Sequence, residues 1–206
     1  ANDGTSRAAA KQTLNAALAL ALPYDTVHAA PGQYAAGAAV HPTKIIGDAY
    51  GRTIPAVAVI PANVMLVADG DASDTVIVGK LDTETPAYNY GGVRLGPGAI
   101  RCAAMYANSK LKGFSLVNGG THNIENAAKQ AVVSQDDYYG GGVLAVTGAC
   151  AEDCVISNCQ ARVAGGAYRG TYVQCKFLHD AGVDCGGATY EAYHYGCYVD
   201  ECFDSP

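Results

Sequence analysis

Cys154-Val155-Ile156-Ser157-Asn158, Cys175-Lys176-Phe177-Leu178-His179 and Cys197-Tyr198-Val199-Asp200-Glu201 are three versions of one phrase, and the steps between them are nearly equal. A second marker keeps the same interval. Gly165-Gly166-Ala167 and Gly186-Gly187-Ala188 are separated by the same step as the first two phrases, and Gly141-Gly142-Val143 stands slightly more than one step earlier. A short apolar run cannot bury its face alone, and stacking successive copies at a period of about 20–25 residues gives it a continuous core. The phrase therefore reads as one coil of an all-β solenoid, a single-stranded parallel β-helix.

Working outward, Gly113-Phe114-Ser115-Leu116-Val117-Asn118-Gly119 aligns with Cys154–Asn158 when Leu116 is set on Ile156. Asn118 then falls over Asn158, and both are expected to point inward and hydrogen-bond the turn backbone. The interval from Phe114 to Cys154 is nearly two periods, so residues 120–140 read as an insertion that projects from the body. Residues 141–206 hold the most regular repeats, and the whole chain reads as one domain. Further strands are expected at Thr26–Ala30, Thr43–Gly47, Val57–Ile60, Val64–Ala68, Thr75–Gly79, Val93–Leu95 and Leu111–Val117, separated by Gly, Asp, Asn and Pro turns. Residues 6–22 carry the one helical pattern: Ala10, Leu14, Ala17, Leu18 and Ala21 form a stripe, with Thr5 or Ser6 as N-cap and Pro23 as stop. Such a helix would cap the open N-terminal end of the lumen.

Composition agrees. Half of the 206 residues are apolar, with 3 Phe, no Trp and 25 Gly, a stock of small side chains suited to a narrow interior. The formal charge is −6, and residues 140–206 hold 3 basic against 8 acidic residues. No basic patch exists, so neither nucleic acid nor an anionic membrane surface is an expected partner. No apolar run reaches the length of about 18 residues that a membrane-spanning helix needs. The last residues, Phe203 to Pro206, follow a repeat directly. An open strand edge there is expected to be covered by more of a longer protein or by self-association with another chain.

Seven of the 8 cysteines fall between Cys150 and Cys202, with no Cys-x-x-Cys pair, which argues against zinc. Cys154, Cys175 and Cys197 share a coil position, with neighbours about 4.8 Å apart. Two states stay open: stacked thiols, or disulfides in a secreted protein. Stacked thiols with one or two bridges are favoured.

Asp3-Gly4-Thr5-Ser6, together with Asp25-Thr26-Val27-His28-Ala29-Ala30-Pro31-Gly32-Gln33-Tyr34, resembles the first coil of pectin-lyase-like right-handed parallel β-helix proteins. Val64–Gly70 and Thr75–Gly79 are similar to that superfamily's second coil. The later Gly-Gly and Cys-x-Ile repeats resemble those of bacterial surface proteins, including polymorphic outer-membrane proteins. The resemblance implies a right-handed helix, a secreted or cell-surface location, and a polysaccharide or surface glycan as partner. It leaves activity open, because the superfamily includes lyases, hydrolases, esterases, adhesins and tailspikes.

Two kinds of site follow. Lyases of this fold use an Arg or Lys base, often with calcium, and here Arg162, Arg169 and Lys176 lie near Asp180, Asp184 and Glu191. Of the hydrolase signatures only Asp136-Asp137 is matched, and a bare Asp-Asp is expected in a solvated loop. No cofactor is called for; Asp69, Asp71 and Asp74 are calcium candidates, more simply read as a turn. His179 falls in the row of Asn158, so a corner role is expected. Most of the aromatics are Tyr, 14 against 3 Phe. Tyr138, Tyr139, Tyr168, Tyr172, Tyr190, Tyr193 and Tyr195 offer flat faces and hydroxyls to sugars. The favoured expectation is a non-catalytic protein with an adhesive, structural or glycan-binding role; a polysaccharide lyase or glycoside hydrolase and a head-to-tail assembling module are the alternatives.

Overall fold

The regular steps of the repeat become strand pairs. Val155, Lys176 and Tyr198 pair in register, as do Cys150, Thr171 and Tyr193. The computed structural model describes residues 2–42, 54–84, 92–122 and 134–204, and every pair of strands within them runs parallel. The expected strand at Thr43–Gly47 and much of the 120–140 insertion lie outside the described residues.

Four stacked sheets result. The first holds Thr26–Ala29, Met65–Ala68, Lys110–Lys112, Cys150–Glu152, Thr171–Val173 and Tyr193–Tyr195. The second holds Gly32–Tyr34, Thr75–Val78, Ser115–Val117, Val155–Ser157, Lys176–Leu178 and Tyr198–Asp200. The third holds Ala56–Ile60, Arg101–Met105, Val143–Ala145, Ala167–Tyr168 and Thr189–Tyr190, and the fourth Gln160–Val163, Ala181–Cys185 and Phe203–Asp204. Alternation along the short strands of the first two sheets turns a central residue of each inward. Leu66, Leu111, Ala151 and Tyr172 line the first wall, Ile77, Leu116, Ile156 and Phe177 the second, and all are buried. Each large aliphatic or aromatic side chain so placed contributes about 1.5–3 kcal/mol.

The corners explain the polar residues of the repeat. Asn118, Asn158, His179 and Glu201 share one row, with φ of 58°, 53°, 57° and 48°. The αL backbone of this turn favours Asn and costs other residues about 1 kcal/mol or more. Asn118 and Asn158 are exposed, so the row is selected by backbone conformation and not by inward hydrogen bonding. The corner role expected of His179 holds. The paired glycines have a different cause. A Cβ on Gly165 would sit 2.3 Å from the Ala181 carbonyl oxygen of the next coil, and one on Gly141 2.4 Å from that of Gln160.

Three expected elements differ. Leu111–Val117 is two strands, Lys110–Lys112 in the first sheet and Ser115–Val117 in the second, with Gly113 turning between them at a φ of 79°. Residues 6–22 do not form one helix: a 3-10 turn covers Arg7–Ala9 and an α-helix only Leu14–Leu18. Thr13 is extended and caps the second piece, its hydroxyl accepting from the Ala16 amide at 3.2 Å. Asn15 pins that piece to the third sheet, donating to Ala56 O and accepting from the Val59 amide at 2.7 Å. Leu14 and Leu18 of the expected stripe are buried in the core. Val93–Leu95 forms no strand, although both ends pack on Ala181 as a small buried cluster.

Candidate functional site

Residues 134–140 close the insertion and organise the most chemically varied region of the molecule. Ser134 caps a 3-10 turn, Gln135–Asp137, by accepting from the Asp136 amide. Arg101 stands on the outer side of its strand and reaches over this turn. Its Nε donates to Gly140 O at 2.7 Å, and its Nη2 donates to the carbonyls of Tyr139 and Asp136. Asp137 Oδ1 accepts from the Ile54 amide at 2.9 Å, and Asp136 Oδ2 lies 3.7 Å from His41 Nε2. Arg101, Asp136, Asp137 and His41 are all fully buried. Burial lowers the Arg101 pKa to about 10, against the opposing pull of Asp137 and Asp136.

The expectation of a solvated loop for Asp136-Asp137 is therefore corrected. The described end of the insertion is packed down, because a buried guanidinium satisfies its carbonyls and a carboxylate satisfies a distant amide. Charges removed from water persist only when paired and hydrogen-bonded in this way.

That anchoring sets the two following tyrosines on the outer face of the third and fourth sheets. Tyr139 packs against Tyr168, ring centroids 4.4 Å apart, and Tyr168 stacks on Tyr190 at 6.2 Å and 15°. Two arginines flank this column. The Arg162 guanidinium lies 5.5 Å from the Tyr138 ring, and its Nε donates to Asp184 at 2.6 Å. That of Arg169 lies 5.0 Å from the Tyr168 ring, and its Nε donates to Glu191 Oε2 at 2.8 Å. The Tyr168 hydroxyl donates to the same oxygen at 3.1 Å. The hydrogen bond from Arg169 holds the Glu191 carboxyl below its ordinary range, and Glu191 in turn raises Arg169. Burial pushes the Tyr168 and Tyr139 phenols up, so both stay neutral donors. Tyr190 is the exposed end of the column, 41% accessible.

The structure thus gathers Tyr138, Tyr139, Tyr168, Tyr190, Arg162, Arg169 and Asp184 onto one face. It separates the others. Tyr172 is a core residue, its ring 5.4 Å from Phe177, and Tyr193 and Tyr195 stand exposed on the first sheet. Lys176 faces out from the second sheet, and Asp180 is buried in the interior. Asp69, Asp71 and Asp74 do not converge: Asp69 turns one oxygen to Arg7 at 3.1 Å and the other to His28 at 2.7 Å. Among the described residues no group of three His, Cys, Asp or Glu is arranged to hold a metal ion, and no helix is long and apolar enough to cross a membrane.

Sequence reasoning missed Arg101 and His41. Their partners are far away in the chain, Asp136 in both cases. The one available signal was a charge inside the otherwise apolar run Ile100 to Met105. No protein-family model, curated protein or solved structure matches this chain.

Proposed function

We propose that the chain is a right-handed parallel β-helix of a secreted or cell-surface protein that binds neutral glycans, without catalysis, along the Tyr139–Tyr168–Tyr190 face. Handedness follows the general rule that crossovers between parallel strands of one sheet are right-handed. The observation that carries the functional reading is the pairing of Arg162 with Asp184 and of Arg169 with Glu191 beside the tyrosine column. Each guanidinium is neutralised in place, so the face presents phenol hydroxyls, N–H donors and carboxylate acceptors with little net charge. Vicinal hydroxyls of a sugar chain match such alternating donors and acceptors, and the open ring of Tyr190 offers a stacking surface. The base of a lyase must stand unprotonated to take a proton from the substrate, and the hydrogen bond to Glu191 instead holds the proton on Arg169 more tightly.

Retention on a panel of neutral and acidic polysaccharides tests the reading. The expected result is binding to neutral glycans that Tyr190→Ala and Arg169→Ala each weaken at least about tenfold. No retention on any of them would leave only a structural role. The enzymatic alternative shares this face, since two arginines stand beside two carboxylates. Release of unsaturated uronides or of new reducing ends would replace binding by catalysis.

A further inference from the structure

We propose that the lumen holds two cross-linking sites, where Cys154 with Cys175 and Cys102 with Cys159 are oxidised to disulfides that tie coils together. All eight cysteines are free thiols in the structure, so these are sites of modification and not bridges already made. Neither site depends on what the outer face binds. Both need only an oxidising surrounding.

Cys154 and Cys175 are neighbours in one row. The Lys176 amide donates to Cys154 O at 2.8 Å, which sets the two residues one above the other. Neighbours so placed stand about 4.8 Å apart, inside the Cα separation of about 4.4–6.8 Å that a disulfide spans. Their thiols meet in the lumen and are hydrogen-bonded to each other. Cys197 is the third member of the row, since the Tyr198 amide donates to Cys175 O at 2.9 Å. Its thiol donates instead to Tyr172 O at 3.2 Å and shares no hydrogen bond with Cys175. A row of three yields one pair, and the contact selects Cys154 and Cys175.

The second pair meets where a side chain is missing. Cys102 lies on the Arg101–Met105 strand, and its Sγ donates to Val117 O at 3.3 Å. That sulfur fills the space beside Gly119, where a Cβ would stand 2.9 Å from it. The Gln160 amide donates to Gly119 O, so Cys159 stacks on Gly119 and its thiol reaches that of Cys102. Both residues are fully buried. They flank residues 120–140 in the chain, so this bridge closes the base of the segment that carries Tyr138 and Tyr139. In each bridge two S–H bonds break and one S–S bond forms. Two electrons and two protons pass to a low-molecular-weight disulfide, which leaves as two thiols. A closed lumen keeps that oxidant out, so exchange takes place while the chain folds or when a coil opens.

The chain is reduced in denaturant, then refolded either with oxidised and reduced glutathione or with reductant alone. Alkylation, digestion and mass spectrometry then map the sulfurs. After oxidative refolding, peptides linking Cys154 to Cys175 and Cys102 to Cys159 are expected, with Cys150, Cys185, Cys197 and Cys202 outside both links. The linked chain should keep the β-sheet spectrum of the reduced chain and unfold at a higher urea concentration, a difference that reductant in the urea removes. Cys197→Ser should leave the Cys154–Cys175 link in place, and Tyr190→Ala should leave both links. Absence of either link from the folded, oxidised chain, a link from Cys175 to Cys197, or links found only in chains that have lost the β-sheet spectrum would overturn the proposal.

Discussion

Asp180 Oδ1 accepts a hydrogen bond from the Cys159 amide one coil below, at 2.8 Å, while its Oδ2 is buried with no partner. The carboxyl occupies the row position filled in other coils by Gly119, Cys159 and Cys202, inside a lumen otherwise lined by thiols and apolar groups. Burial, with the Cys159 thiol adding to it, raises its pKa well above the ordinary carboxylate range.

A pH dependence follows. Because the folded-state pKa lies above the unfolded value of about 4, the folded chain holds a proton that the unfolded chain releases. The stabilisation is complete below about pH 4 and is lost progressively as pH rises toward the folded pKa. Asp180→Asn keeps the acceptor and removes the titration. Urea melts from mildly acidic to mildly basic pH should show stability falling with pH in the parent and a flatter profile in the variant. Equal slopes would contradict the assignment.

The Arg101 anchor should be costly to remove. Arg101→Met leaves the carbonyls of Asp136, Tyr139 and Gly140 without their donor, and the expected loss is about 3–5 kcal/mol. Amide exchange at Tyr138 to Gly140 should accelerate more than in the distant Ser115–Val117 strand. A uniform change would mean that the arginine does not hold this segment in particular.

Close approach of coils should make the paired glycines intolerant. Gly165→Ala places a methyl group 2.3 Å from a backbone oxygen, which cannot move without shifting a coil. A cost of about 1–3 kcal/mol is expected, against less than about 0.5 kcal/mol for Ser157→Ala on the outer face. Thermal melts of the two variants give the comparison.

Thiol reactivity should split the cysteines in two. Cys102, Cys154, Cys159 and Cys175 are buried, while Cys150, Cys185, Cys197 and Cys202 are partly accessible. Even in the accessible set, burial raises the thiol pKa, that of Cys202 to about 11. At pH 8 about one Cys202 in a thousand is then thiolate, the reactive form. Slow modification of the accessible four by a disulfide reagent is expected, with the other four reacting only after denaturation. Rapid reaction of all eight would be inconsistent with a closed lumen.

The periodic part of the molecule was legible because repetition writes the register into the chain. Leu116 over Ile156 and Phe177 over Ile156 follow directly from aligning the phrases. The broken helix was not legible: Thr13 and Asn15 obey ordinary helical periodicity, and only contacts to Ala56 and Val59 show why the chain restarts there. The arginine–carboxylate pairs each span one coil, from Arg162 to Asp184 and from Arg169 to Glu191, so the repeat itself brings them together once the fold is known. Asp136 and Asp137 depend on Arg101, His41 and Ile54, which no local pattern links to them.

Everything on the outer face depends on coils stacking with Leu116, Ile156, Phe177 and Val199 in one parallel column. Backbone proton–proton contacts in a nuclear Overhauser spectrum of the labelled chain test this most directly. Contacts linking Leu116 to Ile156, Ile156 to Phe177 and Phe177 to Val199, in the parallel pattern, are the expected result. Contacts of Ile156 with residues elsewhere in the chain, or an antiparallel pattern, would contradict it.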